Sequence, residues 1–478
     1  MMILCPSSAR KPASGMPWVI RMVAIKIPPK KVNQMQEFAP LKGLRRADAA
    51  IVGAGLTGLM TADALCSAGL KVIVLDAGEP AQGATALCTG TASLLAAPVY
   101  GRIISAHGLE AAQRHADELQ ALMAAMPAYL RPLAPFAETE GYVYAFLPRD
   151  LEALDAQRGV LGSVGLPVRI APDAGGCPFP VELSLMLPGQ LMTDPAALIR
   201  ALTARIRRHG GRICGHSRML SASAGRLYTA EGCVSAPVVI LAAGKPPGLE
   251  DDGVFALLES RTMLRCRLTA QVPLHTLQQS VRADGLCLRP VAGGALASWC
   301  AGRSGTAEES GRIALFRRVL QGRMKDWTPH KLHARQELFP LDGLPVIGEL
   351  PVRGMRVMWA AGYSGLGLLG AMLAAQVLTR RITGHARESD RLYAPDRFLP
   401  RAMLHGSHAQ LRRLRTCARF AFRSPRCTLC RCNLRYCEAL SLWECPVCGS
   451  AFSMLGQVRG SPAIHPAPIS ARQRPGFQ

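Results

Sequence analysis

Aromatic residues are scarce in this chain of 478 residues, where Phe, Trp and Tyr together make up 5 %. Proteins that bind single-stranded nucleic acids stack bases on exposed aromatic side chains, so the scarcity argues against such a surface. Hydrophobic residues make up 49 % of the chain. The protein can therefore bury sizeable cores, and its length predicts more than one domain.

Acidic residues are also in short supply, with 33 Asp and Glu against 56 Lys and Arg, giving a net charge of +23. Much of the excess lies at the two ends. Residues 1–46 contain nine Lys or Arg and one Glu, and residues 401–478 contain twelve Arg and two Glu. This pattern favours solvated basic ends, and it leaves open an acidic partner, a membrane surface or RNA.

A convincing export signal is missing too, because the apolar stretch MPWVIRMVAI is short and interrupted by Arg21. We therefore expect a cytoplasmic protein whose 16 cysteines are reduced and available for metal binding. Residues 1–46 are interpreted as a basic leader or a mis-assigned start, since Met16, Met22 and Met35 are alternative start positions.

An unbroken hydrophobic run long enough to span a membrane is not found either. Residues 357–379 carry no charge, but glycines at positions 362, 365, 367 and 370 interrupt them. This pattern predicts a buried strand, a glycine turn and a buried helix, and we expect no transmembrane segment; the alternative is that this 23-residue stretch spans a bilayer.

The most informative stretch is DAAIVGAGLTGLMTADALCSAGLKVIVLDAG, residues 48–78. It predicts a buried parallel strand, a helix and a second strand. Gly53, Gly55 and Gly58 occupy the G-x-G-x-x-G positions, which need a tight turn, a close approach to pyrophosphate and close helix packing. Asp76 ends the second strand, where an acid can bind ribose hydroxyls. Together these features predict dinucleotide binding.

Further segments extend this pattern: GATALCTGTAS at 83–93, VVILAAG at 238–244 and DGLPVIG at 342–348. In this order, the segments resemble the FAD-dependent D-amino-acid oxidase and glycine oxidase superfamily over roughly residues 47–398. The resemblance implies non-covalent FAD. It implies FAD contacts at Ala84, Thr85, Thr89, Gly90, Met219, Gly244, Gly362, Gly365 and Gly367.

The same resemblance implies an α/β fold with a Rossmann-type FAD-binding domain and an inserted antiparallel-sheet substrate domain. The expected boundaries are 47–140, 189–258 and 337–394 for the FAD-binding domain, and 141–188 and 259–336 for the substrate domain. An Arg-rich linker (395–426), a small β-rich cysteine domain (427–466) and a tail (467–478) follow. Within the insertions, RTMLRCRLTAQVPL and GLCLRPVAGGALASW predict antiparallel strands.

Amine oxidation by hydride transfer to the flavin places few demands on side chains, so no catalytic residue is assigned. Arg289 is a candidate for binding a substrate carboxylate, because relatives hold the carboxylate at a comparable strand end and a guanidinium suits it. A surface arginine is the alternative. Tyr363 is a candidate for shaping the substrate face, with turn packing as the alternative. The electron acceptor is not indicated.

Two Cys-x-x-Cys pairs lie near the end of the chain, at Cys427 and Cys430 and at Cys445 and Cys448. Their spacing is close to that of a Cys₄ zinc ribbon, and CPVCG resembles a rubredoxin loop that binds iron. A cysteine-rich tail without an ion is the alternative.

The surrounding sequence, with Trp443 and a Gly-Ser-x-Phe, resembles the Rieske [2Fe–2S] domains of some superfamily members. Leu429 and Cys448 fall where those domains have histidine ligands. The resemblance thus implies a Rieske-type domain with altered ligands, converted to Cys₄. Zn²⁺ is our first choice, with Fe or an Fe–S cluster behind it.

These observations predict an FAD-dependent oxidoreductase that acts on a small amine or amino acid. A second hypothesis is a flavoprotein acting on a modified tRNA base, since relatives oxidise such a group, although nucleic acid is not the expected partner. A third is a non-catalytic interaction protein that binds FAD and metal.

Overall fold

The fold comes from a computed structural model. It describes residues 38–244, 258–270, 274–282, 285–304, 307–352, 354–397, 424–429, 431–437, 441–446, 449–460 and 466–469. The predicted leader therefore lies mostly outside the described residues, as do most of the Arg-rich linker and of the tail.

Helices and strands alternate through the first half of the described chain. The helices are α1 (Leu56–Ser67), α2 (Ala97–His107), α3 (Leu109–Leu130), α4 (Leu151–Ser163), α5 (Pro195–Arg208), α6 (Ala307–Arg323) and α7 (Gly367–Ile382), with short 3-10 helices at Ala84–Leu87, Pro148–Asp150 and Glu388–Tyr393. The strands are β1 (Gly43–Arg46), β2 (Ala49–Val52), β3 (Val72–Leu75), β4 (Thr91–Ala92), β5 (Phe136–Ala145), β6 (Arg169–Ala171), β7 (Leu183–Thr193), β8 (Arg212–Cys214), β9 (Ser221–Ser223), β10 (Arg226–Tyr228), β11 (Gly232–Ser235), β12 (Val238–Leu241), β13 (Leu258–Thr269), β14 (Leu277–Ser280), β15 (Cys287–Val291), β16 (Gly294–Arg303), β17 (Thr328–Pro340), β18 (Val346–Leu350), β19 (Arg356–Ala361), β20 (Arg435–Cys437), β21 (Leu442–Glu444), β22 (Ala451–Ser453) and β23 (Val458–Gly460).

A six-stranded sheet, in the order β18-β19-β12-β2-β3-β8, contains both strands of the predicted dinucleotide-binding unit, β2 and β3. Strands β2, β3 and β12 are parallel and buried at every position, as their unbroken apolar sequences predict. Helices α1 and α7 share one hydrophobic core with the sheet, in which Leu59 and Leu373 are fully buried. The predicted strand–glycine–helix–strand unit is confirmed. So is the strand, turn and helix predicted for residues 357–379, as β19 and α7.

A second, larger sheet is mostly antiparallel. Its strands follow the order β17-β13-β16-β15-β14-β5-β7-β4, with β6 beside β7. The two predicted insertion segments form β13, β15 and β16, which pair antiparallel as expected. Helix α6 covers part of this sheet, and the Phe316 ring packs 5.4 Å from that of Trp299. Strands from Thr91 onward contribute to the sheet, so it begins earlier in the chain than the substrate-domain boundaries that we predicted.

Two small sheets complete the described fold. Strands β1, β11, β10 and β9 form one of them, with β1 parallel to β11. In the cysteine-rich region, β20 to β23 form an antiparallel meander around a small core that includes Trp443 and Phe452. Within the described residues, none of the helices combines the length and the apolar character needed to cross a membrane.

Candidate flavin and substrate site

The turn between β2 and α1 leaves no room for side chains. Gly53 has a φ of +105°, which is unfavourable for other residues, and a Cβ there would lie 2.8 Å from the Ala242 carbonyl oxygen. A Cβ on Gly58 would overlap the carbonyl oxygen of Gly53. Glycine at both positions lets the first turn of α1 pack directly against the strand edge. This is the geometry that the G-x-G-x-x-G pattern requires.

Asp76 follows β3 at the same edge of the sheet. Its Oδ2 accepts a hydrogen bond of 2.7 Å from Ala54 N, and its Oδ1 accepts one of 3.0 Å from Gly78 N. Burial raises the pKa of the Asp76 carboxyl, while these hydrogen bonds and the Arg218 guanidinium act in the opposite direction. The carboxylate is thus fixed beside the glycine turn, where an acid can bind ribose hydroxyls.

The 3-10 helix Ala84–Leu87 lies against the start of α1. Leu56 N donates a hydrogen bond of 3.1 Å to Thr85 Oγ1, and a Cβ on Gly55 would lie 3.0 Å from the same oxygen. Gly90 serves a different purpose, because a Cβ there would overlap the Thr193 carbonyl oxygen at the end of β7. Small residues therefore keep this loop close to the glycine turn.

Tyr363 lies between β19 and α7, at the other end of the site. Thr57 Oγ1 donates a hydrogen bond of 3.1 Å to its phenol oxygen. Burial raises the pKa of the Tyr363 phenol, so it is neutral at physiological pH. Its ring packs against Gly370, where a Cβ would lie 2.5 Å from ring carbons. The turn is further closed at Gly362, which has a φ of +81° and packs on Pro340.

A cavity of about 570 Å³ connects these features. Most of the residues predicted to bind FAD line it: Gly53, Gly55, Asp76, Ala84, Thr85, Thr89, Met219, Gly244, Gly362, Gly365 and Gly367. Tyr363 lines it as well, whereas Gly58 and Gly90 are outside the described lining and act through the packing contacts above. A glycine cradle, a fixed acid and small residues along one wall fit a dinucleotide such as FAD.

The second wall of the cavity comes from β13 and β17 of the large sheet. Arg265 on β13 is 7 % exposed and lines the cavity. Its Nη1 donates to the Leu87 carbonyl oxygen, and its Nη2 donates to Glu337 Oε1 at 3.0 Å. Its Nε has no hydrogen-bond partner within the described part of the chain. This guanidinium thus links the large sheet to the 3-10 helix Ala84–Leu87.

Arg289, the sequence candidate for a carboxylate-binding residue, lies on β15. Its Nη2 donates a hydrogen bond of 2.8 Å to the Thr193 carbonyl oxygen, and burial lowers the pKa of its guanidinium. The described residues that line the cavity do not include it. The structure therefore places the Arg289 guanidinium at the end of β7, and its role in substrate binding stays a prediction.

Sequence reasoning did not single out Arg265 or Arg218, which also lines the cavity next to Asp76. On β13, strict alternation of side chains between the two faces of the strand would have predicted which residues face the cavity. This alternation does not hold along the whole of β13. The register with β16 shifts between Arg261 and Met263, and the register with β17 shifts between Cys266 and Leu268. Such irregularities change which side chains face the cavity without leaving a local trace in the sequence.

Two loops of the cysteine domain share one backbone pattern. Cys427 N donates to the Cys432 carbonyl oxygen at 2.8 Å, and Arg431 N donates to the Cys427 carbonyl oxygen at 3.0 Å. In the second loop, Cys445 N donates to the Ser450 carbonyl oxygen at 2.8 Å, and Gly449 N donates to the Cys445 carbonyl oxygen at 3.0 Å. The fifth residue of each loop, Arg431 or Gly449, has a positive φ. The loops are therefore built alike.

Cys427 and Cys445 are both buried in the small core that also contains Leu434 and Phe452. The other two predicted ligands, Cys430 and Cys448, lie outside the described residues. Within the described ranges, no group of three or more His, Cys, Asp or Glu side chains is positioned to hold a metal ion. Leu429 is exposed in the first loop.

Similarity to known proteins extends over most of the chain. The protein YhfW of Bacillus subtilis (strain 168), provisionally named a Rieske 2Fe-2S iron-sulfur protein, is 20 % identical over 91 % of this chain and 96 % of its own. Glycine oxidase from Geobacillus kaustophilus superimposes with a TM-score of 0.59 at 20 % identity, covering 74 % of this chain and 99 % of that one. L-Proline dehydrogenase from P. horikoshii superimposes with a TM-score of 0.58 at 16 % identity, covering 75 % and 98 %. The structural likeness shows a shared fold.

The family match is more specific, and it covers both the six-stranded sheet and the large sheet. Residues 48–381 match the sequence profile of the DAO family, described as FAD dependent oxidoreductase. This range includes the glycine turn, Asp76, Arg265 and Tyr363. The chain therefore belongs to the DAO family of FAD-dependent oxidoreductases.

Proposed function

We propose that the protein oxidises a small amine or amino acid within the cavity between the six-stranded and the large sheet. One observation carries this proposal: a single cavity is lined by Asp76 and Thr85 at one end and by Tyr363, Arg265 and Glu337 elsewhere. Its lining thus combines residues suited to a dinucleotide with charged and aromatic side chains that can contact a small molecule.

FAD, held along the glycine turn, Asp76 and Thr85, would supply a two-electron acceptor for hydride from the carbon next to the substrate nitrogen. The chain's own task is to hold the amine neutral and oriented. Tyr363 is neutral and fixed by Thr57, so it offers a rigid wall at the Gly362 turn. Arg265 lines the cavity and is held by Leu87 and Glu337, so its positive charge favours an anionic group of the substrate.

The visible spectrum of the purified protein and anaerobic mixing with a panel of amines and amino acids test this function. We expect flavin absorbance that bleaches with at least one member of the panel. A protein that is colourless and gains no flavin absorbance when FAD is added would overturn the proposal. Arg265→Met and Arg289→Met then compare the two arginines. A loss of bleaching by amino acids, but not by simple amines, identifies the arginine that binds the carboxylate.

The cysteine domain is proposed to hold one metal ion through Cys427, Cys430, Cys445 and Cys448, with Zn²⁺ before iron. The shared backbone pattern of the two loops supports this, since paired Cys-x-x-Cys turns surround a tetrahedral ion. The provisional name of YhfW points to a Rieske-type relative. However, Leu429 stands where a Rieske histidine would ligate, so we propose a site with four thiolates.

A further inference from the structure

The small sheet of the cysteine domain meets the cavity that the family fold builds. Leu442 and Glu444 on β21 and Ala451 on β22 all line it. These residues come from beyond residue 381, where the family match ends. The cavity wall is therefore composite, with one part supplied by a segment outside the family domain.

The strand register explains how one small sheet can serve two purposes. Glu444 pairs with Ala451 and Leu442 pairs with Ser453, so these side chains share one face. Trp443 and Phe452 pair with each other and point to the opposite face, into the core that contains Cys427 and Cys445. One face thus packs on the cysteine core, and the other closes the cavity.

Three contacts among the described residues hold the small sheet against the large sheet. Gln336 Nε2 on β17 donates a hydrogen bond of 3.0 Å to Glu444 Oε1, and Glu444 is only 1 % exposed. Gly449 lies so close to β13 that a Cβ there would be 2.9 Å from Ser260 Oγ. Cys437, at the end of β20, is buried in the hydrophobic core of the large sheet. The domain is therefore docked through polar and apolar contacts.

We propose that the cysteine domain is a wall of the active site, and that Glu444 is a specificity-determining residue. A carboxylate held at the cavity surface favours a substrate group that donates hydrogen bonds or carries positive charge. The substrate class that fits is an amine with a second basic nitrogen. This inference rests on the proposed amine oxidation, but the position of the wall does not.

The test compares full-length wild type with Glu444→Gln, which keeps the size of the side chain, and with Leu442→Ala, which enlarges the cavity. Glu110→Gln, at an exposed position on α3, is the matched control. For Glu444→Gln we expect FAD affinity close to that of wild type. We also expect about a tenfold rise in KM for a diamine, with less than a twofold change for the monoamine of equal length.

A second readout does not depend on turnover. Iodide quenching of the bound flavin's fluorescence should rise about twofold in Leu442→Ala and stay at the wild-type value in Glu110→Gln, because a shortened wall admits the ion. If no amine bleaches the wild-type flavin, the proposed function fails. The quenching measurement still tests whether the cysteine domain forms a wall of the cavity. Quenching in Leu442→Ala equal to that of wild type would overturn the proposal that the cysteine domain is a wall of the active site. Equal changes in KM for diamine and monoamine in Glu444→Gln would overturn the role of Glu444.

Discussion

Thr57, in the first turn of α1, donates a hydrogen bond of 3.1 Å to the phenol oxygen of Tyr363, 306 positions further along the chain. The bond joins the glycine turn that starts the nucleotide site to the turn that ends it. Tyr363 packs on Gly370 and Gly362 packs on Pro340, so the Thr57 bond joins α1 to a turn that is itself held by packing. The cavity between them is thus preformed by backbone and by one tyrosine.

Replacing Tyr363 by Phe tests this connection. The ring and its packing on Gly370 remain, while the buried Thr57 hydroxyl loses its acceptor. We expect the free energy of unfolding, measured in urea, to fall by about 1 kcal/mol, the usual value of one buried hydrogen bond. FAD affinity should weaken only modestly. A loss of several kcal/mol would mean that the phenol oxygen makes contacts beyond this one.

Gly58→Ala should weaken FAD binding, because the added Cβ overlaps the carbonyl oxygen of Gly53 and pushes α1 away from the strand. We expect FAD affinity to fall more than tenfold, measured by titrating the apoprotein and following flavin fluorescence. Gly162→Ala on α4 is the matched control, since nothing lies within 4 Å of its added Cβ. The control should bind FAD normally and be slightly more stable. Unchanged FAD affinity in Gly58→Ala would contradict the role given to the glycine turn.

The local part of this site could be predicted from sequence. Strand, glycines, helix and acid follow one another within 48–78, and each signal is set by neighbouring residues. The alternating sequences of 261–274 and 285–299 predicted antiparallel strands in the same local way, whereas the fold class followed from the resemblance to a known family. Glu444 and Arg265 could not be found in this way. The place of Arg265 in the cavity depends on a register shift in β13, and that of Glu444 depends on how β21 docks against β17. Neither can be predicted from neighbouring residues in the sequence.

Asp342 should make stability depend on pH. It accepts hydrogen bonds from Arg397 and contacts His107 at 2.9 Å. Burial raises the pKa of its carboxyl, but the Arg397 charge and these contacts outweigh burial and lower the pKa from 3.8 to about 2. Since the folded pKa lies below the unfolded one, the stabilisation is complete above about pH 4 and is lost as pH falls towards 2. The shift corresponds to ~2 kcal/mol.

Urea unfolding between pH 2.5 and 6 measures this effect. Asp342→Asn should be less stable than wild type at pH 6, and the gap should narrow as the pH falls. Asp155→Asn, at an exposed ion pair on α4, is the control and should track wild type at every pH. A gap that is independent of pH would show that the carboxylate charge does not stabilise the fold.

Cys445→Ser tests the proposed metal ion and its coupling to the cavity. Elemental analysis of wild type should find about one Zn or Fe per chain, and the variant should lose most of it because one of four ligands is weakened. Cys233→Ser, on β11 in a different sheet, should keep the metal.

Because Cys445 follows Glu444 directly, loss of the ion should also loosen the wall and raise iodide quenching of the flavin. Wild-type protein without Zn or Fe would overturn the metal site. A variant that loses its metal but keeps wild-type quenching would show that the wall stands without the ion.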